Sequence, residues 1–198
     1  MLRRMTMKTQ LGPRTLLYPM PAVLVGVLVH NKPNFMTAAW CGIACSEPPM
    51  LSVAIRKPRY TREGITENGR FSINVPRSNH AAWVDYLGIA SGRDEDKNAN
   101  AGIDVFYDEP EHTPMIVQCP VSLVCRVAHI LALGTHDLVI GEILQTHIDE
   151  DCVVNGTPDV NKIDPLVYEA GGRTYHSMGP TVGKGFNAGL SLRGKKQP

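Results

Sequence analysis

Residues 34–42 read NFMTAAWCG, and residues 51–61, which follow a Pro-Pro turn, read LSVAIRKPRYT. The first stretch places small side chains beside one aromatic ring, so a ligand can approach its backbone closely. The second carries two hydroxyl groups and two guanidinium groups within ten residues, and these are the donors that a phosphate monoester needs. Neither stretch is specific alone. Together they predict a ligand with a flat ring and a phosphate tail.

Composition predicts one soluble globular domain. Of 198 residues, 43% are hydrophobic and 20% are charged, which is ordinary for a chain with one sizeable core. We expect a single domain over residues 1–198, with its core at about residues 15–183 and a basic C-terminal tail. A net charge of +1 gives no electrostatic reason to expect nucleic acid. The basic runs at the ends, Arg3-Arg4 and residues 193–196, are interpreted as solvated tails.

The sequence also predicts a cytoplasmic protein. Residues 1–12 lack the apolar segment and small-residue cleavage site of a signal peptide. The longest apolar run, residues 22–29, is too short for a bilayer, which needs roughly twenty residues. Five cysteines are an odd number without a dense framework, which favours reduced thiols.

Short apolar segments between turn residues indicate a mainly β chain. In the strand expected at residues 51–56, side chains alternate, so Ser52, Ala54 and Arg56 share a ligand-facing side and the apolar residues face the core. We expect residues 34–42 to form a loop, and Gly141 to mark a bulge or a close approach of the backbone. The other strands are predicted at residues 22–29, 71–75, 117–129, 137–148 and 165–168, the last in the chain.

Two short helices are predicted between these strands. Thr61 opens the first, which ends near Gly69, and residues 80–90 form the second, followed by a charged connector or capped short helix at 91–97. Arg59, Tyr60 and Thr61 then lie at a helix N-terminus, where N–H groups and the helix dipole favour an anion. The alternative is that Thr61 is only a cap and Arg59 a solvated side chain. Ser52 and Arg56 on the adjoining strand favour the phosphate interpretation.

Many short strands, few helices and no βαβ alternation predict a closed or nearly closed antiparallel barrel. The glycine-rich motifs of Rossmann domains and P-loops are absent from the sequence. The cysteines lack histidines at zinc spacing, so we interpret them as reduced residues. A Cys41 nucleophile with His136 or His176 stays open, although no local motif marks it. A ligand site without a triad, metal set or carboxylate pair suits chemistry performed by a bound cofactor.

Seven short motifs keep one order and spacing along the chain. They are TLLYP-x-P at 15–21, N-x-M-x-AAW at 34–40, PP at 48–49, SV-x-IRK-x-x-YT at 52–61, FSINV at 71–75, SG-x-x-x-DK at 91–97 and H-x-x-x-IGE at 136–142. This succession resembles the flavoredoxin-like branch of the flavin reductase family, over about residues 15–183. Asn98 departs from the pattern, because an aromatic residue is expected after Lys97.

The resemblance implies an FMN-binding split β-barrel with a few short helices, usually a homodimer with flavin near the subunit interface. It implies an oxidoreductase that accepts a hydride from NADH or NADPH at flavin N5 and passes electrons to free flavin or another acceptor. His136 would lie near the entrance used by the nicotinamide, and Tyr175 and Lys184 would belong to a C-terminal segment that closes over the site. The implied cofactor-binding residues are Met36, Thr37, Ala38, Ala39 and Trp40 at the ring, Ser52, Ala54, Arg56, Arg59, Tyr60 and Thr61 at the ribityl phosphate, Lys97 and Tyr175.

Two other functions stay open at this point. One is a flavoredoxin-type electron carrier that holds FMN, is reduced by a protein partner and has no direct NAD(P)H activity. The other is a non-catalytic module in which flavin is structural or absent. No metal, nucleic acid or membrane is expected as a partner.

Overall fold

The computed structural model describes residues 7–110 and 112–193, so most of the predicted basic tails lies outside the described residues. The described residues form fourteen strands, four α-helices and three 3-10 helices. The strands are β1 (Met20–Pro21), β2 (Val23–Val29), β3 (Lys32–Ala38), β4 (Cys41–Ser46), β5 (Pro49–Arg56), β6 (Arg70–Val75), β7 (Val105–Tyr107), β8 (Pro114–Ile116), β9 (Val121–Leu133), β10 (His136–Ile148), β11 (Val153–Val154), β12 (Thr157–Pro158), β13 (Val167–Glu169) and β14 (Thr174–His176). The α-helices are α1 (Tyr60–Asn68), α2 (Ala81–Ile89), α3 (Lys97–Asn100) and α4 (Val160–Ile163), and the 3-10 helices are Ser78–His80, Glu150–Cys152 and Leu190–Leu192.

Seven strands form one antiparallel sheet that curls into a barrel. Their order is β3-β2-β6-β9-β10-β5-β4, which makes β3 and β4 the two edges. Only Ala39 and Trp40 separate these edge strands in the chain, and three peptide steps span at most roughly 11 Å. The sheet must therefore curl until its edges nearly meet. This confirms the predicted class, a mainly β split barrel with a few short helices.

The barrel has one core inside and a second against its outer face. Alternate residues of β2 and β5, such as Val25 and Val53, pack inside. On the other face of β2, Leu24 packs with Val84 and Leu87 of α2. Because α2 covers this face, β2 is buried on both sides, which explains why its sequence is continuously apolar rather than alternating.

The bulge predicted at Gly141 is confirmed. The register of β10 against β9 shifts between Ile140 and Gly141. A β-carbon at Gly141 would lie 2.5 Å from Cζ of the fully buried Phe71. The bulge and the missing side chain together let this ring fill the barrel interior.

Several predicted boundaries were wrong. Residues 34–38 are not loop but strand, because β3 pairs with β2 along its whole length; only Ala39 and Trp40 connect it to β4. The strand expected from residue 117 begins at Val121, because β8 and a turn precede it. Helix α1 begins one residue before Thr61, and β14 follows the strand predicted to be the last. Within residues 7–110 and 112–193, no helix is long and apolar enough to cross a membrane.

Candidate ligand-binding site

A cavity of about 330 Å³ lies at the N-terminus of α1, and we call it the cationic cavity. Its lining contains three cations, Arg56, Arg59 and Lys97, and no carboxylate among the described residues. The side chains that line it are Met36, Arg56, Pro58, Arg59, Tyr60, Thr61, Ala90, Ser91 and Lys97, with Gly92 beside them. Such a lining is suited to an anion.

Local sequence explains how the first wall of this cavity forms. Arg56 ends β5, and a short turn leads to α1. The N-cap residue Arg59 makes no side-chain capping hydrogen bond. The first N–H groups of α1 therefore meet no side-chain acceptor from the cap, and they add to the positive potential of the cations.

The second wall is the loop that follows α2, and Arg93 fastens it to the first. The Arg93 guanidinium lies 5.0 Å from the centre of the Tyr60 ring. It also donates a hydrogen bond of 3.0 Å to the Pro58 carbonyl and pairs with Glu63 of α1. These contacts hold Ser91 and Gly92 opposite the start of α1.

Lys97 is the buried cation of the site, with 4% of its surface exposed. Its ammonium donates to the carbonyls of Leu87 at 3.1 Å and Ala90 at 3.3 Å, which closes the C-terminal end of α2. Burial, and then the nearby charge of Arg59, lower the pKa of Lys97 from 10.5 to about 8, against a smaller raising effect of Glu95. An anion in the cavity would favour the charged form and reverse this shift.

A second cavity, of about 570 Å³, lies along the same barrel edge, and we call it the apolar cavity. Ala39, Trp40 and Ser52 line it together with the N-terminal arm at residues 14–21. The Trp40 ring stacks on His136, with centroids 4.8 Å apart and planes inclined by 29°. Ser52 in this cavity and Arg56 in the cationic cavity lie on one face of β5, roughly 13 Å apart along the strand.

The structure thus brings most of the predicted residues to one edge of the barrel, but divides them between two cavities. Met36, Arg56, Arg59, Tyr60, Thr61 and Lys97 line the cationic cavity, whereas Ala39, Trp40 and Ser52 line the apolar cavity. Thr37, Ala38 and Ala54 line neither. Thr37 donates to the Val84 carbonyl of α2, Ala38 is buried in the barrel, and the Ala54 N–H donates to the Trp40 carbonyl at 2.9 Å.

Two predicted residues lie elsewhere in the chain. The Tyr175 hydroxyl donates to Asp85 of α2 at 3.0 Å, and its ring packs against Tyr168 in the outer core. Lys184 is exposed and directly precedes a turn. Neither residue lines the cationic or the apolar cavity.

Three contributors to the site were missed from the sequence as ligand-site residues. Ser91 and Gly92 were assigned to a charged connector or capped short helix, although the order of the family motifs marked them. The N-terminal arm had no role, because its cavity depends on contacts with β4 and β5. Asn34 had no separate role either, and its contacts become visible only when β3 lies against α1.

Fold and site define a nearly closed antiparallel barrel protein whose edge carries a cationic cavity near an exposed aromatic ring. A family model described as the flavin reductase like domain matches residues 15–177. The chain therefore belongs to the flavin reductase-like family, and its structural neighbours confirm the resemblance to the flavoredoxin-like branch.

Two solved flavoredoxins are similar over nearly the whole chain. The flavoredoxin of Methanosarcina acetivorans is 37% identical, with a TM-score of 0.90, and the match covers 94% of this chain and all of that one. The flavoredoxin of Desulfovibrio vulgaris is 40% identical, with a TM-score of 0.87, over 92% of this chain and all of that one. A more distant curated relative is an FMN reductase (NADH), RutF, of Bradyrhizobium diazoefficiens, which is 25% identical over 76% of this chain and 74% of its own.

Proposed function

We propose that the chain binds FMN, with the phosphate in the cationic cavity and the ring extending along β5 toward Trp40. The observation that carries this proposal is the lining of the cationic cavity, which places three cations at the N-terminus of α1 without a carboxylate among its described residues. The apolar cavity offers Trp40 and small residues to a flat ring. The two cavities fit the two ends of one ligand, and β5 connects them.

The residues present fit the chemistry of FMN. Arg56, Arg59 and Lys97 would bind the phosphate as charge-assisted donors. Ser52 and the edge of β4 would position the ring side, and His136, which stacks on Trp40, would lie near the nicotinamide. When bound, FMN would supply the redox chemistry, a hydride accepted from NADH or NADPH at flavin N5 and electrons passed to free flavin or another acceptor. The similarity to RutF supports this oxidoreductase function.

A second candidate function is an electron carrier that a protein partner reduces. The two flavoredoxins favour it, because they share 37% and 40% of the sequence and nearly the whole fold. In this case the chain would hold FMN through the same residues. It would differ from the reductase in having no productive site for a nicotinamide.

The first experiment measures FMN binding by flavin fluorescence in wild type and in Arg56→Ala and Arg59→Ala. Hydrogen bonds to charged groups contribute roughly 1.5–3 kcal/mol, so we expect Kd to rise roughly 10- to 150-fold in each variant. The matched control is Arg126→Ala, which removes an exposed arginine of β9 that lines neither cavity. Equal FMN affinity in the two site variants and the control would contradict the proposed phosphate site.

The second experiment separates the two candidate functions. FMN-loaded protein is titrated anaerobically with NADH and then NADPH while the blue flavin absorbance is followed. Bleaching by either nucleotide supports the reductase and ranks the donors. Bleaching by dithionite but by neither nucleotide supports the electron carrier.

A homodimer and a cytoplasmic location complete the proposal. Exposed apolar residues at the N-terminal arm and at β4, among them Leu17 and Ile43, support a surface that a second copy covers. All five cysteines are free, which is compatible with a reducing compartment. Sedimentation of the FMN-loaded protein tests the dimer.

A further inference from the structure

Asn34 does not line the cationic cavity itself but contacts two residues that do, Thr61 and Gly92. It lies in β3, is 5% exposed, and is not among the residues that line this cavity. Its Nδ2 donates a hydrogen bond of 2.8 Å to Oγ1 of Thr61, the second residue of α1. Its other amide atom, Oδ1, is buried and accepts no hydrogen bond within the described part of the chain.

The surroundings of Oδ1 explain which way the amide points. A β-carbon added at Gly92 would overlap Asn34 Oδ1 and lie 3.2 Å from Cδ1 of Tyr60. One Cα–H bond of Gly92 therefore points at Oδ1. This weak donor suits an oxygen and would oppose an NH₂ group. The contact fixes Oδ1 toward Gly92 and Nδ2 toward Thr61.

This orientation decides what the Thr61 hydroxyl can do. A hydroxyl has one hydrogen and two lone pairs. Because Thr61 Oγ1 already accepts from Asn34, its own hydrogen remains available to an acceptor in the cavity that Thr61 lines. With the amide reversed, Thr61 would donate to Asn34 and turn a lone pair toward a bound anion.

We propose that Asn34 is a positioning residue, which holds the Thr61 hydroxyl as a hydrogen-bond donor to the phosphate of the bound flavin. Through Gly92 it also sets the distance between the two walls of the cavity, the start of α1 and the loop after α2. The proposal rests on the proposed function, in which the phosphate of FMN occupies the cationic cavity. It makes Asn34 a determinant of selectivity for FMN over riboflavin, which lacks the phosphate.

The test compares dissociation constants for FMN and riboflavin in Asn34→Asp, Asn34→Ala and Thr61→Val. In Asn34→Asp the carboxylate has nearly the same shape but only accepts, so it takes the Thr61 hydrogen and adds a negative charge. We expect its FMN Kd to rise roughly tenfold or more, with the riboflavin Kd within about twofold of wild type. Asn34→Ala should raise the FMN Kd by a smaller factor than Asn34→Asp. Added to Thr61→Val, it should not raise the FMN Kd any further.

A second variant, Gly92→Ala, reaches Asn34 from the other side and should lower FMN affinity in the same selective way, because its β-carbon displaces Oδ1. Two controls are matched to these changes. Gly179→Ala adds a methyl group with no atom within 4 Å, and Asn68→Ala removes side-chain hydrogen bonds at the opposite end of α1. Circular dichroism checks that each variant is folded. If Asn34→Asp does not fold, the selectivity of Gly92→Ala and Asn34→Ala for FMN over riboflavin decides the test.

The outcomes separate the proposal from the function on which it rests. Equal losses for FMN and riboflavin would show that Asn34 has only a structural role and would overturn the proposal. So would unchanged FMN affinity in Asn34→Asp, or an additional loss from Asn34→Ala in the Thr61→Val protein. Wild type that binds FMN no better than riboflavin would instead refute the phosphate site, and the role of Asn34 with it.

Discussion

If FMN binds in the cationic cavity as proposed, we expect Lys97 to make FMN affinity depend on pH, in a range where the two arginines of the cavity do not titrate. Burial and Arg59 place the pKa of Lys97 at about 8 in the ligand-free protein. A bound phosphate stabilises the ammonium, so the pKa in the complex is higher. Arginine stays charged throughout, and the second phosphate ionisation, with a pKa near 6, is about 90% complete at pH 7 and changes little above that pH.

The size of the effect follows from linkage. When Lys97 is neutral in the ligand-free protein, FMN binding must be accompanied by uptake of a proton. The FMN Kd therefore rises with pH by a factor of about 1 + 10^(pH − 8), as long as Lys97 is charged in the complex. This factor is about 1.1 at pH 7 and about 11 at pH 9, which predicts a roughly tenfold weaker FMN affinity at pH 9. FMN affinity falls as the pH rises, because Lys97 loses its proton at a lower pH in the ligand-free protein than in the complex.

The assay is a series of FMN titrations between about pH 7 and about pH 9, with riboflavin in parallel. Lys97→Met should weaken FMN binding and abolish the pH dependence, since the titrating group is gone. The matched control is Lys162→Met, because Lys162 is also a lysine that donates to a backbone carbonyl, that of Asp151, but is exposed outside both cavities. A flat wild-type profile, or the same slope in Lys97→Met, would refute the reasoning.

Two further predictions concern the stability of the barrel. Gly141→Ala should lower the free energy of unfolding in urea by roughly 1–3 kcal/mol, because its methyl group meets Phe71 at 2.5 Å; Gly42→Ala, with no atom within 4 Å, should stay close to wild type, and equal losses would contradict the packing argument. Asp137→Ala should cost roughly 1–3 kcal/mol, because this carboxylate is 1% exposed and pairs with Arg62 of α1. Glu142→Ala breaks the more exposed pair with Arg126 and should cost less than about 1 kcal/mol, so a larger loss there than at Asp137 would count against burial as the cause.

The local sequence correctly predicted those features that depend on a single strand, turn or helix. The alternation in β5 is a property of neighbouring residues, and it correctly placed Ser52, Ala54 and Arg56 opposite the core side chains. The turn and helix that follow Arg56 are likewise local, so the first wall of the cationic cavity could be predicted from residues 51–61. The apolar run in β2 and the bulge at Gly141 also carry their own signals.

Contacts between distant segments could not be predicted in this way. A loop was expected at residues 34–42 because small side chains such as Ala38 and Ala39 allow a ligand to approach the backbone, yet pairing with β2 makes residues 34–38 a strand. Tyr175 belonged to the site by resemblance alone, and within this chain its hydroxyl is bound to Asp85 of α2.

The sequence by itself determined a mainly β barrel, the two arginines that lead into the start of α1 and the family to which the chain belongs. The tertiary structure decided how the site is assembled: it buries Lys97 against the end of α2, closes Gly92 on Asn34, and divides the predicted residues between two cavities. The physical reason is the distance along the sequence between the residues that determine each feature. Side-chain alternation and helix starts depend on adjacent residues, whereas burial, amide orientation and cavity shape depend on which distant segments meet when the sheet curls.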